Sequence, residues 1–439
     1  MCKTFYFKKY DFDAKNGLLS LVYEIPGYDP FVETVRFDGA PFEMNDAQKR
    51  ALGDVFFYTH LICGINYYKG FLPQEIIIES SALSSSEAEL FAEFYLNGLG
   101  EFAATNNLNL QGKIHFPHKA GITRFKSKTL CAGGKSIIPI GGGKDSCVSI
   151  ELLRRSGHAA SAAFAGDISP IRAVLEKSGL DLIHFDRKID PAFMQLCRDK
   201  KVYTGHLPIS AIYACYLWIY SVLKNYQYVV MSNERSSDSP NMMQGDLAIN
   251  HQYSKSYAFE NWFHKLTQKI TPMFCYFSLL RPLSEAHIAR LFSKMCTRYF
   301  DTFTSCNRVF RLDRDKRSSS WCGQCDKCRF VFLILAPFMD KETLVKCVGN
   351  NPLNDEMQLN GYMELLGLSG HKPFECVGTI AESVWAFAQL AERADYANDF
   401  IIKQLAEKLP KAEAGDLFIP SQQHNIPGEF KDVMALFKQ

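Results

Sequence analysis

The sequence has no long hydrophobic run, no surplus of one charge, no internal repeat and no low-complexity tract. Its longest apolar stretches, FVFLILAPFM (330–339) and IYACYLWIYSVL (212–223), fall well short of the roughly 20 residues that span a bilayer, so both are expected in a buried core. The N-terminal stretch MCKTFYFKKYDFDAKNG alternates charged and aromatic residues and has no apolar signal core, which points to the cytosol. With 49 basic and 47 acidic side chains the formal net charge is +2, so no basic surplus marks a nucleic-acid partner. The remaining composition is that of a folded globular chain. Of its 439 residues, 47% are hydrophobic and 22% charged, enough for about two or three domains.

Fourteen cysteines in a cytosolic chain of this length indicate reduced thiols or metal ligands rather than disulfides. Ten are scattered singly (Cys2, Cys63, Cys131, Cys147, Cys197, Cys215, Cys275, Cys296, Cys347 and Cys376) and are expected as small buried hydrophobes. The other four are Cys306, Cys322, Cys325 and Cys328, with the spacing C-x15-C-x2-C-x2-C. Four thiolates around one tetrahedral ion form a structural zinc site with no open position, which implies scaffolding rather than Lewis-acid catalysis. Cys306 is the distant member, and its spacing also suits an active-site thiol.

From about residue 136 the pattern becomes regular. SIIPI (136–140) precedes the glycine turn GGGKDS (141–146), and SCVSIELLRRSG (146–157) has helical spacing with Gly157 as a stop. Strand AASAAFAG (159–166), helix ISPIRAVLEKSG (168–179), strand LDLIHFD (180–186), a long apolar helix at about 208–224 and strand YQYVVMSNE (226–234) follow. Such alternation predicts a parallel α/β sheet covered on both faces, with ligands at the carboxyl ends of its strands. GGGKDS and SNER both fall there. Residues 1–133 mix strand-like runs such as SLVYEI (20–25) and EIIIES (75–80) with helical stretches around 47–66 and 86–105, an α+β region; residues 341–439 are expected to be mainly helical.

The glycine turn is not a Walker loop, because Ile138 and Asp145 stand where that motif needs Gly and Ser or Thr. Ser146 likewise breaks the G-x-G-x-x-G pattern. What remains is strand, three glycines, Lys144, Asp145, Ser146 and a helix. Glycines allow close backbone approach and helix N-terminal amides attract phosphate oxygens; the Ser146 hydroxyl suits phosphate and Asp145 suits magnesium. The turn resembles the S-G-G-x-D-S loop of the N-type ATP pyrophosphatases, with Gly141 in place of the usual serine and Lys144 in the free position. That resemblance implies an ATP pyrophosphatase core at 134–340, carrying the zinc knuckle, in which Gly141, Gly142, Gly143, Lys144, Asp145 and Ser146 hold ATP.

Further blocks narrow the likeness. GHLP (205–208), SNERS (232–236), NHQYSK (250–255), SLLRPLSE (278–285), SCNR (305–308), WCGQCDKCRFVFLILAPF (321–338) and HKPFECVG (371–378) are similar to one bacterial family, as are YLNGLGEF (95–102) and GKIHFP (112–117). It is the family of UDP-N-acetyl-alpha-D-muramoyl-L-alanyl-L-glutamate epimerases. Cys147 and Ser237-Asp238 are its visible departures. The resemblance implies ATP- and magnesium-dependent inversion of the terminal glutamate of a muramoyl dipeptide nucleotide in peptidoglycan synthesis, with AMP and diphosphate released. The 7-cyano-7-deazaguanine synthases, which carry a similar loop and cysteine set, are the alternative, and an ATP-binding tRNA modification protein is a third.

Individual side chains carry open assignments. Glu234 suits magnesium and Arg235 a bidentate clamp on carboxylate or phosphate, the alternative being a buried Glu–Arg pair holding the loop. His206 suits an acid or base, or a hydrogen-bonding support, and His251 has the same alternatives. Lys255 and Arg281 either meet the anionic nucleotide-sugar or lie on solvated surface.

Overall fold

In the segment following residue 134, Ser136, Ile137 and Ile138 are buried in succession, as expected of a strand covered on both faces. The computed structural model describes residues 3–166, 169–311, 317–370, 372–409 and 412–439. Its strands are β1 (Thr4–Asp13), β2 (Leu18–Glu24), β3 (Phe31–Phe37), β4 (Glu75–Ile78), β5 (Lys135–Pro139), β6 (Ala160–Ala165), β7 (Leu182–Lys188), β8 (Tyr226–Met231), β9 (Met242–Gln244), β10 (Leu247–Ile249) and β11 (Cys275–Ser278). Nine of them form one sheet in the order β11-β8-β5-β6-β7-β3-β2-β1-β4, and β9 and β10 make a separate hairpin.

The five strands from β11 to β7 are mutually parallel. In chain order β5, β6 and β7 grow to one side and β8 and β11 to the other, so the chain changes direction across the sheet between β5 and β8. The loops after these two strands therefore flank a crevice. Alternate residues face opposite layers. Ile137, Ala163 and Val229 join a core with helices Asp46–Phe71 and Ile209–Lys224, whereas Ile138, Ala162 and Val230 join one with helices Lys144–Arg155, Glu285–Met295 and Asp326–Leu335.

The N-terminal strands continue this sheet. β3 pairs antiparallel with β7, placing Phe37 opposite Phe185. Across that seam Arg187 donates twice to Glu33, at 2.8 and 3.0 Å, with both side chains buried. The helix expected around 47–66 spans Asp46–Phe71, started by Asn45 and Gln48 in a reciprocal cap. The stretch at 86–105 is two helices, Ser85–Gly98 and Gly100–Thr105. Helix Ser169–Ser178 matches its expected span, although Ile168 lies outside the described residues. The fold is thus mixed α/β with a large, mostly parallel sheet and, among the described residues, fifteen α-helices. After Lys341 the described elements are helices and tight helical turns. No helix among the described residues is long and apolar enough to cross a membrane.

Candidate functional site

The glycine turn sits at the carboxyl end of β5 and leads into helix Lys144–Arg155, with Gly143 as the residue before the helix. Gly142 has φ +76°, a left-handed value that an L side chain adopts only at a cost of about 1–2 kcal/mol. At Gly143 a Cβ would come within 2.6 Å of Ser305 Oγ. Gly141 is exposed and has open space around it. Replacing Gly141 by serine should therefore change stability by no more than about 0.5 kcal/mol. Gly143→Ala should displace the 304–306 segment and lower the melting temperature measurably. Paired thermal melts of the two variants check both expectations.

Lys144 is fully buried, its ammonium held between Asp145 and Glu285. It neutralises carboxylates instead of facing solvent. The Ser146 hydroxyl donates to Gly143 O at 3.0 Å, closing the turn on itself. Across the crevice, the loop after β8 is fixed by Ser278 at the end of β11. Asn233 N donates to Ser278 Oγ at 2.7 Å, and that hydroxyl donates to Asn233 O at 2.7 Å. This leaves Glu234 only 5% exposed at the strand end.

Glu234, Asp145 and Glu285 form an acidic group. Burial pushes Glu234 above the usual carboxylate range and Asp145 adds to the push. Burial likewise pushes Glu285 up to about 7; Asp145 and Glu234 add to it, and Lys144 opposes them. Glu285 Oε1 is buried without a hydrogen-bond partner among the described residues. The group offers hard carboxylate oxygens of the kind magnesium takes alongside phosphate oxygens, but its ligand atoms do not close into a tight cluster; among the described residues the close groups are the four cysteines and Glu101 with His206 and His251.

Arg235 does not form the buried pair with Glu234 that was one of its two expected roles. It reaches the C-terminal segment, with Nη1 3.4 Å from Ile419 O and Nη2 3.4 Å from Asp416 O. No buried Glu234–Arg235 pair holds the loop among the described residues. Arg281 does that instead. It is 1% exposed, and its Nη1 donates to Glu234 O and Ser237 Oγ, each at 2.7 Å. It is therefore an internal bolt and not a solvated surface residue.

The two histidines come together. His206 Nδ1 lies 3.0 Å from Glu101 Oε2, His251 Nδ1 binds the same oxygen, and the rings are 4.7 Å apart. Burial pushes His206 down to about 4 against the pull of Glu101. His251 is also buried, but hydrogen bonds to Cys376 and Glu101 outweigh burial and raise it to about 9. Lys255 Nζ donates to Cys376 Sγ at 3.0 Å. Of the block at 371–378, His371 lies outside the described residues. The rest is held by Asn241 Nδ2, which donates to Pro373 O at 2.8 Å.

The four clustered cysteines converge. All four Sγ atoms lie within 4.8 Å of one another, including Cys306, with separations of 4.0 Å (Cys306–Cys325), 3.8 Å (Cys322–Cys328) and 3.4 Å (Cys325–Cys328). A tetrahedral ion with Zn–S bonds of about 2.3 Å needs sulfurs about 3.8 Å apart, so the quartet can hold a metal ion and its spacing fits zinc. Backbone amides of Cys322 and Gln324 point at Cys306 Sγ and Cys322 Sγ. All cysteines among the described residues are free; Cys2 lies outside them. The cluster abuts the glycine turn through Thr304 N, which donates to Gly142 O at 2.9 Å.

Glu101, Glu285, Lys327 and Cys376 were not singled out by sequence reasoning. Each lies inside a block that carried the family resemblance, which was the only signal for it.

Fold and site together define an α/β protein that gathers a glycine turn, three carboxylates and a cysteine quartet around the crevice between two parallel strands. Family models described as the MurL N-terminal domain and the MurL C-terminal domain match residues 1–279 and 302–417. The chain belongs to this family. It is 39% identical over 431 residues to the UDP-N-acetyl-alpha-D-muramoyl-L-alanyl-L-glutamate epimerase of Xanthomonas oryzae pv. oryzae, covering 97% of this chain and 95% of that one. It is 37% identical over 441 residues to the epimerase of the same name from a Micromonospora species, covering 98% of both.

Proposed function

We propose that this chain inverts the α-carbon of the terminal L-glutamate of UDP-N-acetylmuramoyl-L-alanyl-L-glutamate, a cytoplasmic step in peptidoglycan precursor synthesis, and that ATP drives it. The observation that carries the ATP-dependent part is the crevice, where a glycine turn at a helix N-terminus faces the Asp145, Glu234 and Glu285 carboxylates. The substrate comes from the activity named for relatives that match over nearly their whole length.

The chemistry explains why an epimerase needs such a crevice. Taking a proton from a carbon next to an ionised carboxylate places negative charge beside negative charge. Attack of the carboxylate on the α-phosphate of ATP forms an acyl-adenylate and releases diphosphate. The carbonyl can then accept the electron pair, a group on each face moves the proton, and water releases product and AMP. Open amides at the turn receive phosphate oxygens. Asp145 and Glu234, backed by Glu285, would hold magnesium, which supplies charge neutralisation at the phosphates. The cysteine quartet would hold structural zinc and take no part in the chemistry. Neither a nucleic acid nor a membrane enters this reading.

Deuterated buffer tests it. ATP and the L-Ala-L-Glu nucleotide should yield D-glutamate with deuterium at the α-carbon, alongside AMP and diphosphate. Omitting ATP, or replacing it with an analogue that cannot be cleaved between the α and β phosphates, should stop inversion and exchange alike. Exchange that runs equally well without ATP would show a direct two-base mechanism and sink the proposed role of the glycine turn.

A further inference from the structure

We propose that Cys376 is one of the two groups that move the α-proton, its sulfur held by Lys255 and His251 and its acceptor direction set by Glu101 behind His251. The inference rests on the epimerase reading above and assigns a residue to one of its steps. Lys255 Nζ donates to Sγ at 3.0 Å, and the His251 imidazole hydrogen-bonds the same sulfur while its Nδ1 is anchored on Glu101. Two cationic side chains thus converge on one sulfur, with a carboxylate behind one of them. This differs from the setting of an ordinary buried cysteine.

The sulfur is positioned as well as charged. Asn241 accepts from His251 N at 3.0 Å and donates to Pro373 O at 2.8 Å, tying the histidine and the cysteine segment to one side chain. Lys327 Nζ donates to the Cys376 carbonyl. The ionisable groups facing the thiol are Lys255, His251, Lys327, Lys372 and Glu375, drawn from three separate parts of the chain. Cys376 keeps part of its surface exposed, whereas Cys131 and Cys215 are buried. Burial is the main push that raises the thiols of Cys131 and Cys215; at Cys376 the desolvation of the thiol is overcome by Lys255 and His251, and the thiol falls well below its ordinary range. Lys255 also senses the charges of Glu234 and Asp145, so the sulfur and the proposed activation site share a cation.

In the step itself the thiolate takes the α-proton and becomes S–H. The C–H electron pair moves to the activated carbonyl, forming an enolate. A second group returns a proton to the opposite face, the enolate pair closes the new C–H bond, and both groups re-equilibrate with water. No oxidant or reductant is needed.

The test uses the full-length protein with ATP, magnesium and each epimer of the nucleotide. Two rates are followed, ATP–diphosphate exchange and α-proton exchange. Cys376→Ala should keep diphosphate exchange within about tenfold of the parent while inversion falls about 10²- to 10⁴-fold, the range for loss of a general acid or base. Proton exchange should stop from one epimer and persist from the other, an asymmetry that a merely structural role does not produce. Cys376→Ala that inverts within tenfold of the parent overturns the assignment. So does a variant that loses diphosphate exchange in proportion to inversion, or recovery of a glutamyl thioester on Cys376. A second measurement needs no variant. Iodoacetamide at neutral pH should label Cys376 ahead of the other cysteines, with activity lost in step and the nucleotide protecting; loss of activity with Cys376 unlabelled overturns the proposal. An unaltered protein that inverts no glutamate defeats the epimerase reading instead, so the two failures are distinguishable.

Discussion

Asparagine in place of Asp145 is expected to stop cleavage of ATP while leaving the chain folded. Asp145 is the one member of the acidic group on the glycine turn itself, and its side chain is 22% exposed, so it reaches the crevice. Its charge is the part of the donor set that a cation meets first. Lys144 keeps Glu285 as a partner when Asp145 is neutralised, which spares the helix start. Turnover should fall by more than the ~10–100-fold that disturbing an outer-shell metal partner costs. Nucleotide chromatography should show AMP and diphosphate from the parent and neither from the variant. Magnesium should raise the melting temperature of the parent in the presence of ATP and do so less for the variant. ADP and orthophosphate as the parent's products would refute the proposed bond cleavage.

The second large effect concerns the cysteine quartet, which is expected to carry about one zinc per chain. Cys325 does two jobs: it supplies one of the four sulfurs, and it is the residue before helix Asp326–Leu335. From Lys327 onward that helix is buried except at Arg329, in the second core layer. Structural zinc in small peptides contributes about 10–16 kcal/mol near neutral pH, comparable to the ~5–15 kcal/mol that keeps a whole domain folded. Cys325→Ser should therefore lower metal content, soluble yield and thermal stability together. Metal analysis by mass spectrometry and melts with and without a strong chelator measure all three. A metal-free preparation that melts and turns over like the parent would overturn the zinc assignment.

The parallel half of the fold was legible because most strands, turns and helices between residues 136 and 231 are written locally; the short helix Pro191–Arg198 is the element that was not anticipated. Apolar runs, glycine stops and helical spacing sit side by side, and the observed spans agree within a few residues. β1 was not legible, because TFYFKKYDFD buries Phe5 and Phe7 while its lysines and aspartates resemble a charged surface. Nor was the β3–β7 seam, since partners about 150 residues apart, such as Glu33 and Arg187, leave no local trace. The same division runs through the site. The glycine turn and three of the four cysteines are contiguous motifs and could be read directly. Glu101, His251 and Cys376 each look ordinary alone, and their chemistry exists only once the chain has brought them together.

That scattering has a consequence for the timetable of synthesis. Glu101 meets His251 across 150 residues and Lys255 meets Cys376 across 121 more. The C-terminal segment then laces back, with Ser284 Oγ donating to Leu417 O at 2.6 Å and Ser421 N to Pro282 O at 2.8 Å. A growing chain can lay down its glycine turn and much of its parallel sheet long before the residues near 376 and 417 have left the ribosome. Contacts of such sequence separation form late in folding. A product that stops before residue 376 therefore has the glycine turn but no Cys376 beside Lys255, and lacks the proposed proton-transfer group. The sulfur gains its partners only once residues 101, 251–255 and 376 have all been made and brought together.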